Sequence, residues 1–163
     1  ARLAAQRDLV QAVVVTGGEP TLQRDLPDFL AALRGLGLHI KLDTNGSHPE
    51  VLARLFAAGL VDAVAMDVKA PWPLYAELAG VCVDVAALQE SVRLIATSGL
   101  PHLFRTTFVP SLLDESDLAT ICAALPERSP HLVQAFRAEH ALAPWLRAAG
   151  RPPLAAKHRE VRA

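Results

Sequence analysis

Gly17-Gly18-Glu19-Pro20 is the stretch of this chain best suited by residue type and order to hold a ligand. Two adjacent glycines let the backbone turn sharply and approach a ligand without interference from a Cβ. Their carbonyls can accept hydrogen bonds from an ammonium group, and Glu19 can add a charge-assisted one. Pro20 has no N–H to satisfy and sets the exit of the turn. The combination suits a cationic amine, whereas a phosphate loop would present N–H groups and usually a lysine. A bare Gly-Gly pair would read as a tight strand-to-helix turn; the Glu-Pro after it moves the reading toward a site.

Further polar groups gather in the same way at the ends of apolar runs. Asp43-Thr44-Asn45-Gly46 reads equally as an Asn-Gly turn and as a set of ligand contacts offered by Thr44 and Asn45. Asp67 and Lys69 stand two apart in a run of strand character, so they share a face. They read either as an internal ion pair or as ligand contacts, and the cost of an unpaired buried charge favours the pair. Arg105 and Thr107 share a face in the same manner, and the planar fork of Arg105 suits a carboxylate. Gln134 and Phe136 share a face of the last run, with Phe136 read as core. The histidines fall mostly near element ends and read as solvated or structural.

The elements that must position these groups are short strands alternating with helices. Strand-like runs are expected at 12–16, 39–43, 63–68, 103–109 and 132–136, dense in Val, Ile and Leu as in a sheet buried on both faces. Helices are expected at 26–36 with Asp25 as N-cap, and at 49–58, 85–97 and 115–125, with a last one at 144–149. The first should bury Phe29, Leu30, Leu33 and Leu36, and the second Val51, Leu52, Leu55 and Phe56. Such alternation means α/β with a parallel sheet, whose ligand site lies at the C-terminal strand ends. Five strands are too few for a closed eight-stranded barrel, so the sheet is open or a partial barrel.

At 163 residues, 52% hydrophobic and 20% charged, the chain fits one globular domain. A net charge of −1 excludes a basic field for nucleic acid, and the arginines near the end read as a solvated tail. No stretch is long and apolar enough for a membrane span, and a cytoplasmic location is expected. Cys82 and Cys122 are forty apart, form no metal-ligand motif, and are expected to be buried free thiols.

Thr16-Gly17-Gly18-Glu19-Pro20-Thr21-Leu22-Gln23 resembles the amine-holding motif of radical S-adenosylmethionine enzymes. Leu42-Asp43-Thr44-Asn45-Gly46, Ala65 to Pro71, Arg105 to Pro110 and Gln134 to Arg137 resemble the later strand ends of the activating enzymes for glycyl-radical proteins. Within that family the likeness is greatest to activating proteins of anaerobic ribonucleoside-triphosphate reductase, related to pyruvate formate-lyase activase. The resemblance implies a parallel-stranded, TIM-like partial (β/α)6 barrel whose first strand and cluster loop are absent here. It implies Gly17, Gly18, Glu19 and Pro20 at the methionine amine of S-adenosylmethionine. Thr44, Asn45, Asp67 and Lys69 would then line the cofactor pocket, with Arg105 near the cofactor's carboxylate or ribose. It also implies a [4Fe–4S] cluster in the full-length protein. The implied partners are a glycyl-radical enzyme, such as anaerobic ribonucleotide reductase, and an electron donor such as flavodoxin or ferredoxin.

The family's Cys-x3-Cys-x2-Cys cluster ligands do not precede Gly17 here. A fragment is therefore expected, with residues 1–140 as truncated core and 141–163 as helix and tail, inactive as it stands. Alternative readings are a cluster-free S-adenosylmethionine-binding module, a radical enzyme acting on a small molecule, and an aldolase-like barrel with Lys69 as Schiff-base nucleophile. Asp67 beside Lys69 argues against the last, because a carboxylate raises a lysine pKa.

Overall fold

The structure is a computed structural model that describes residues 9–141 and 144–147. Its strands are β1 (Ala12–Val15), β2 (His39–Thr44), β3 (Ala63–Asp67), β4 (His102–Phe108) and β5 (His131–Ala135). They form one sheet in the order β1-β2-β3-β4-β5. β1 and β2 pair in parallel with Val15 opposite Leu42, and β2 and β3 in parallel with Thr44 opposite Met66. Helices α1 (Leu26–Arg34), α2 (Pro49–Ala57), α3 (Tyr75–Ala79), α4 (Val85–Thr97) and α5 (Glu115–Ala124) fill the crossovers, and α6 is Pro144–Arg147. The α/β class with an open sheet is the expected one, since each helical crossover returns the chain to start a parallel strand.

The chain divides into two compact units, residues 1–67 with 84–104 and 128–130, and residues 68–83 with 105–127 and 131–163. In the first unit the core forms where Ile40 and Leu42 of β2, Val64 and Met66 of β3, and Leu52 and Leu55 of α2 are buried. Fully burying each such Leu or Ile side chain stabilises the fold by roughly 1.5–3 kcal/mol. In the second unit Val68, Ala70, Tyr75, Leu113 and Ile121 are buried. Asp114 starts α5 with a reciprocal capping box, its side chain taking the Asp117 N–H while the Asp117 carboxylate takes the Asp114 N–H. Asp84 caps α4 through the Ala87 N–H, while Asp25, at the N-cap position of α1, makes no capping bond with its side chain.

Several expectations need correction. Burial on both faces holds for the middle of the sheet only, because Val14 on β1 and Leu132 and Val133 on β5 are exposed on the edge strands. Phe29 is 50% exposed, since the buried stripe of α1 is Leu26, Leu30 and Leu33, and Phe29 points off it. Cys82 and Cys122 are exposed. Cys82 lies in the turn before α4, and Cys122 is one position, about 100°, around α5 from buried Ile121. β3 ends at Asp67, so Lys69 lies in the following loop and not on the strand. β5 ends at Ala135, so Phe136 lies past the strand and is only partly buried. Short helical turns at Pro20–Leu22, Trp72–Leu74 and Ala138–His140, and helix α3, carry no clear apolar period and escaped the sequence reading. The tail arginines Arg151, Arg159 and Arg162, and the expected continuation of α6 to Ala149, lie outside the described residues.

Candidate functional site

In the first unit the polar residues at the ends of β1 and β2 meet around Glu19. This side chain is 7% exposed and caps the short helical turn Pro20–Leu22. Its Oε1 accepts the Thr21 N–H at 3.1 Å, the Thr21 hydroxyl at 2.6 Å and the Thr44 hydroxyl at 2.8 Å. Its Oε2 accepts the Asn45 N–H at 2.6 Å. All four donors are neutral. Among the described residues no Lys, Arg or His forms an ion pair with Glu19. Three of these donors crowd onto Oε1 and only one reaches Oε2, so Oε2 is the less heavily bonded oxygen.

The turn before Glu19 is open. Gly17 has φ +149°, and a Cβ built at either Gly17 or Gly18 would meet nothing within 4 Å. Among the described residues, nothing fills the space beside these two glycines. Gly46 is the opposite case, with φ +78° and a Cβ that would lie 2.2 Å from Met66 Cε and 3.3 Å from Ser91 Cβ. Its carbonyl accepts the buried Ser91 hydroxyl at 2.6 Å, tying the β2 end to α4.

Thr44 and Asn45 both serve this turn. The Thr44 hydroxyl donates to Glu19 and accepts the Gly46 N–H at 3.0 Å. Asn45 Oδ1 accepts the Ser47 N–H at 2.9 Å, the local turn that Asn commonly makes. Asp67 closes β3. In the second unit, Lys69 is exposed and its N–H donates to the Tyr75 hydroxyl at 3.2 Å, while Arg105 is partly buried on β4 and its carbonyl accepts the Val68 N–H. Beside it, buried Thr106 donates its hydroxyl proton to the Val68 carbonyl at 2.6 Å, so the His131 Nε2 contact at 2.9 Å must be an N–H donated to Thr106. Burial pushes the His131 pKa below its ordinary value.

The sequence reading missed Thr21, His48 and Lys41. Thr21 and His48 lie 27 residues apart and meet only in the fold. Lys41 pairs with Asp43 at 2.9 Å along one face of β2. The alternation that singled out Asp67 and Lys69 would have found that pair.

Residues 1–121 match the sequence profile of the Radical SAM superfamily. The chain belongs to this superfamily. It is 35% identical over 135 residues to a Methanocaldococcus jannaschii protein that bears the name glycyl-radical enzyme activating enzyme, covering 80% of this chain and 56% of that protein. The chain thus spans little more than half the length of that curated relative. The fold resembles a crystallised domain of pyruvate-formate lyase-activating enzyme from Bacteroides vulgatus, with TM-score 0.61 and 19% identity over 83% of this chain and 87% of that one. It also resembles Streptococcus suis SuiB bound to S-adenosylmethionine, with TM-score 0.64 and 16% identity over 98% of this chain and 37% of that one.

Membership in the radical SAM superfamily implies S-adenosylmethionine and an iron–sulfur cluster, and the residues fit the two unequally. Cleared backbone at Gly17 and Gly18, beside a buried carboxylate that has no cationic partner among the described residues, suits the methionine ammonium. A cluster finds no ligand set, because the only two cysteines, Cys82 and Cys122, are exposed and separate. Among the described residues no three His, Cys, Asp or Glu side chains converge as metal ligands.

Proposed function

We propose that this chain is the S-adenosylmethionine-holding part of a radical enzyme that activates a glycyl-radical protein. The observation that carries the reading is Glu19, an acid buried among neutral donors, with its Oε2 taking a single bond and open backbone beside it. A buried carboxylate without a counter-charge is costly, and a bound ammonium removes that cost. In this reading Gly17 and Gly18 offer carbonyls to the ammonium, Pro20 and the turn after it fix the loop, and Thr44 and Asn45 hold Glu19 in place. Asp67, Lys69 and Arg105 are assigned to the rest of the cofactor, with the cationic Arg105 suited to its carboxylate or ribose. When bound in an enzyme of this family, S-adenosylmethionine supplies a 5′-deoxyadenosyl radical that removes a hydrogen atom from the substrate. The likeness to the Methanocaldococcus protein supports a glycine of a partner enzyme as that substrate, anaerobic ribonucleotide reductase being the proposed partner and a flavodoxin or ferredoxin the proposed donor.

A second reading is a cluster-free S-adenosylmethionine-binding module, in which the buried Glu19 and the cleared backbone at Gly17 and Gly18 hold the ligand by themselves. Sequencing the coding region upstream of Ala1 separates the two. An in-frame Cys-x3-Cys-x2-Cys supports the activase. That longer protein, reconstituted with iron and sulfide, should then produce a glycyl radical signal on the reductase. A start codon with no such cysteines removes the activase reading. Calorimetric titration of the chain tests the second reading: S-adenosylmethionine should bind without iron, and failure to bind would sink it.

A further inference from the structure

The proton arrangement around Glu19 gives a role to His48, two residues past the Asp43–Gly46 motif. Thr21 Oγ1 stands 2.6 Å from Glu19 Oε1 and 3.0 Å from His48 Nδ1. A carboxylate only accepts, so the single Thr21 hydroxyl proton is committed to Glu19. The His48 contact must then run the other way, with Nδ1–H donating to Thr21. Ser47 Oγ lies 2.9 Å from the same nitrogen and serves as a second acceptor. A bare Nδ1 would leave two lone pairs facing each other across 3.0 Å at Thr21. Thr44 repeats the pattern, donating to Glu19 while accepting the Gly46 N–H. Each threonine therefore has a donor behind it that turns its proton toward Glu19. Behind Thr44 the donor is backbone; behind Thr21 it is a side chain.

We propose that His48 is a positioning residue for the amine site, holding the Glu19 carboxylate in its binding orientation through Thr21 with Nδ1 protonated. The proposal rests on the assignment of Glu19 to the ligand ammonium. His48 touches no ligand in this scheme. Loss of its N–H frees the Thr21 hydroxyl to rotate and Glu19 Oε1 to lose its shortest bond.

The test uses the full chain with His48→Ala and His48→Asn, since an Asn amide can place an N–H near the position of Nδ1. In the free protein, nitrogen NMR should show His48 with Nδ1 protonated. Amide exchange at Thr21 and Asn45, both donors to Glu19, should quicken about tenfold in His48→Ala while Ile40 and Leu42 stay unchanged. S-adenosylmethionine should bind about tenfold more weakly to His48→Ala, the loss expected of one hydrogen bond. His48→Asn should recover most of both effects. 5′-Methylthioadenosine, which lacks the amino-acid part, should bind all three proteins alike. Unchanged exchange in His48→Ala, no recovery in His48→Asn, or equal weakening of both ligands would overturn the proposal. If His48→Ala shows the exchange effect but the wild-type chain does not bind S-adenosylmethionine, the ligand assignment fails for the chain alone and the positioning of Glu19 by His48 stands.

Discussion

β2 is held at its two ends by two acids that do different work. At its start, Asp62 accepts the Ile40 N–H at 2.7 Å and the Arg34 guanidinium at 2.8 Å, with His39 Nδ1 at 3.9 Å. At its finish, Glu19 accepts the Asn45 N–H and the hydroxyls of Thr21 and Thr44. Each carboxylate satisfies a backbone N–H of β2 or of the residue just past it. Asp62 is partly exposed and has its cation within the fold, so it is a finished clamp. Glu19 is buried and has none among the described residues. Parallel α/β folds place ligands at the C-terminal strand ends, and the contrast shows what that costs locally. In the proposed function, the end that takes the ligand keeps a charge whose partner comes from outside.

Gly46→Ala should have the largest effect, because it attacks the packing that supports the Glu19 end. The new Cβ would sit on Met66, which is fully buried, in a backbone conformation that disfavours a side chain. A loss of about 3 kcal/mol is expected, read by urea unfolding. A loss under about 1 kcal/mol would mean that this turn is as loosely packed as the one at Gly17.

Glu19→Gln should come next, at about 2 kcal/mol, since an amide NH2 must now face one of four donors. S-adenosylmethionine binding should be lost along with this stability. A variant that stays equally stable would show Glu19 to be less committed to the fold than its bonds indicate.

Asp62→Asn should cost least, about 1 kcal/mol, because the site is partly solvated. Burial alone would raise the Asp62 pKa, but the Ile40 N–H, the Arg34 bond and charge, and the His39 charge together leave it below its ordinary value. A carboxyl with a depressed folded pKa stabilises above its unfolded pKa, and that share is lost as pH falls through the folded value. Wild-type stability should therefore fall below about pH 4, with a shallower fall in Asp62→Asn. Ligand affinity should be the same in both. A shift in affinity would break the division between clamp and site.

Much of this was legible beforehand in short patterns. Runs of Val, Ile and Leu placed all five strands to within one or two residues, and α4 at Val85–Thr97 was read in full. The order of polar clusters at strand ends led to Glu19, Thr44 and Asn45, because a parallel sheet brings successive C-terminal ends to one side. The readings that failed concern faces and surroundings. Phe29 and the two cysteines are apolar by type, yet nothing in a local window says which side of an element the core will cover.

The sequence by itself determined the alternation of strands and helices, the family motif at Gly17–Pro20 and the acid that belongs to it. These depend on neighbours within a few residues. Only the tertiary structure decided that Glu19 takes four donors drawn from two strand ends. The same is true of Gly17 and Gly18 opening onto clear space while Gly46 closes on Met66, and of His48 standing behind Thr21. Hydrogen bonds act over about 3 Å. Residues 25 to 27 positions apart come within that reach only after the sheet has set its register.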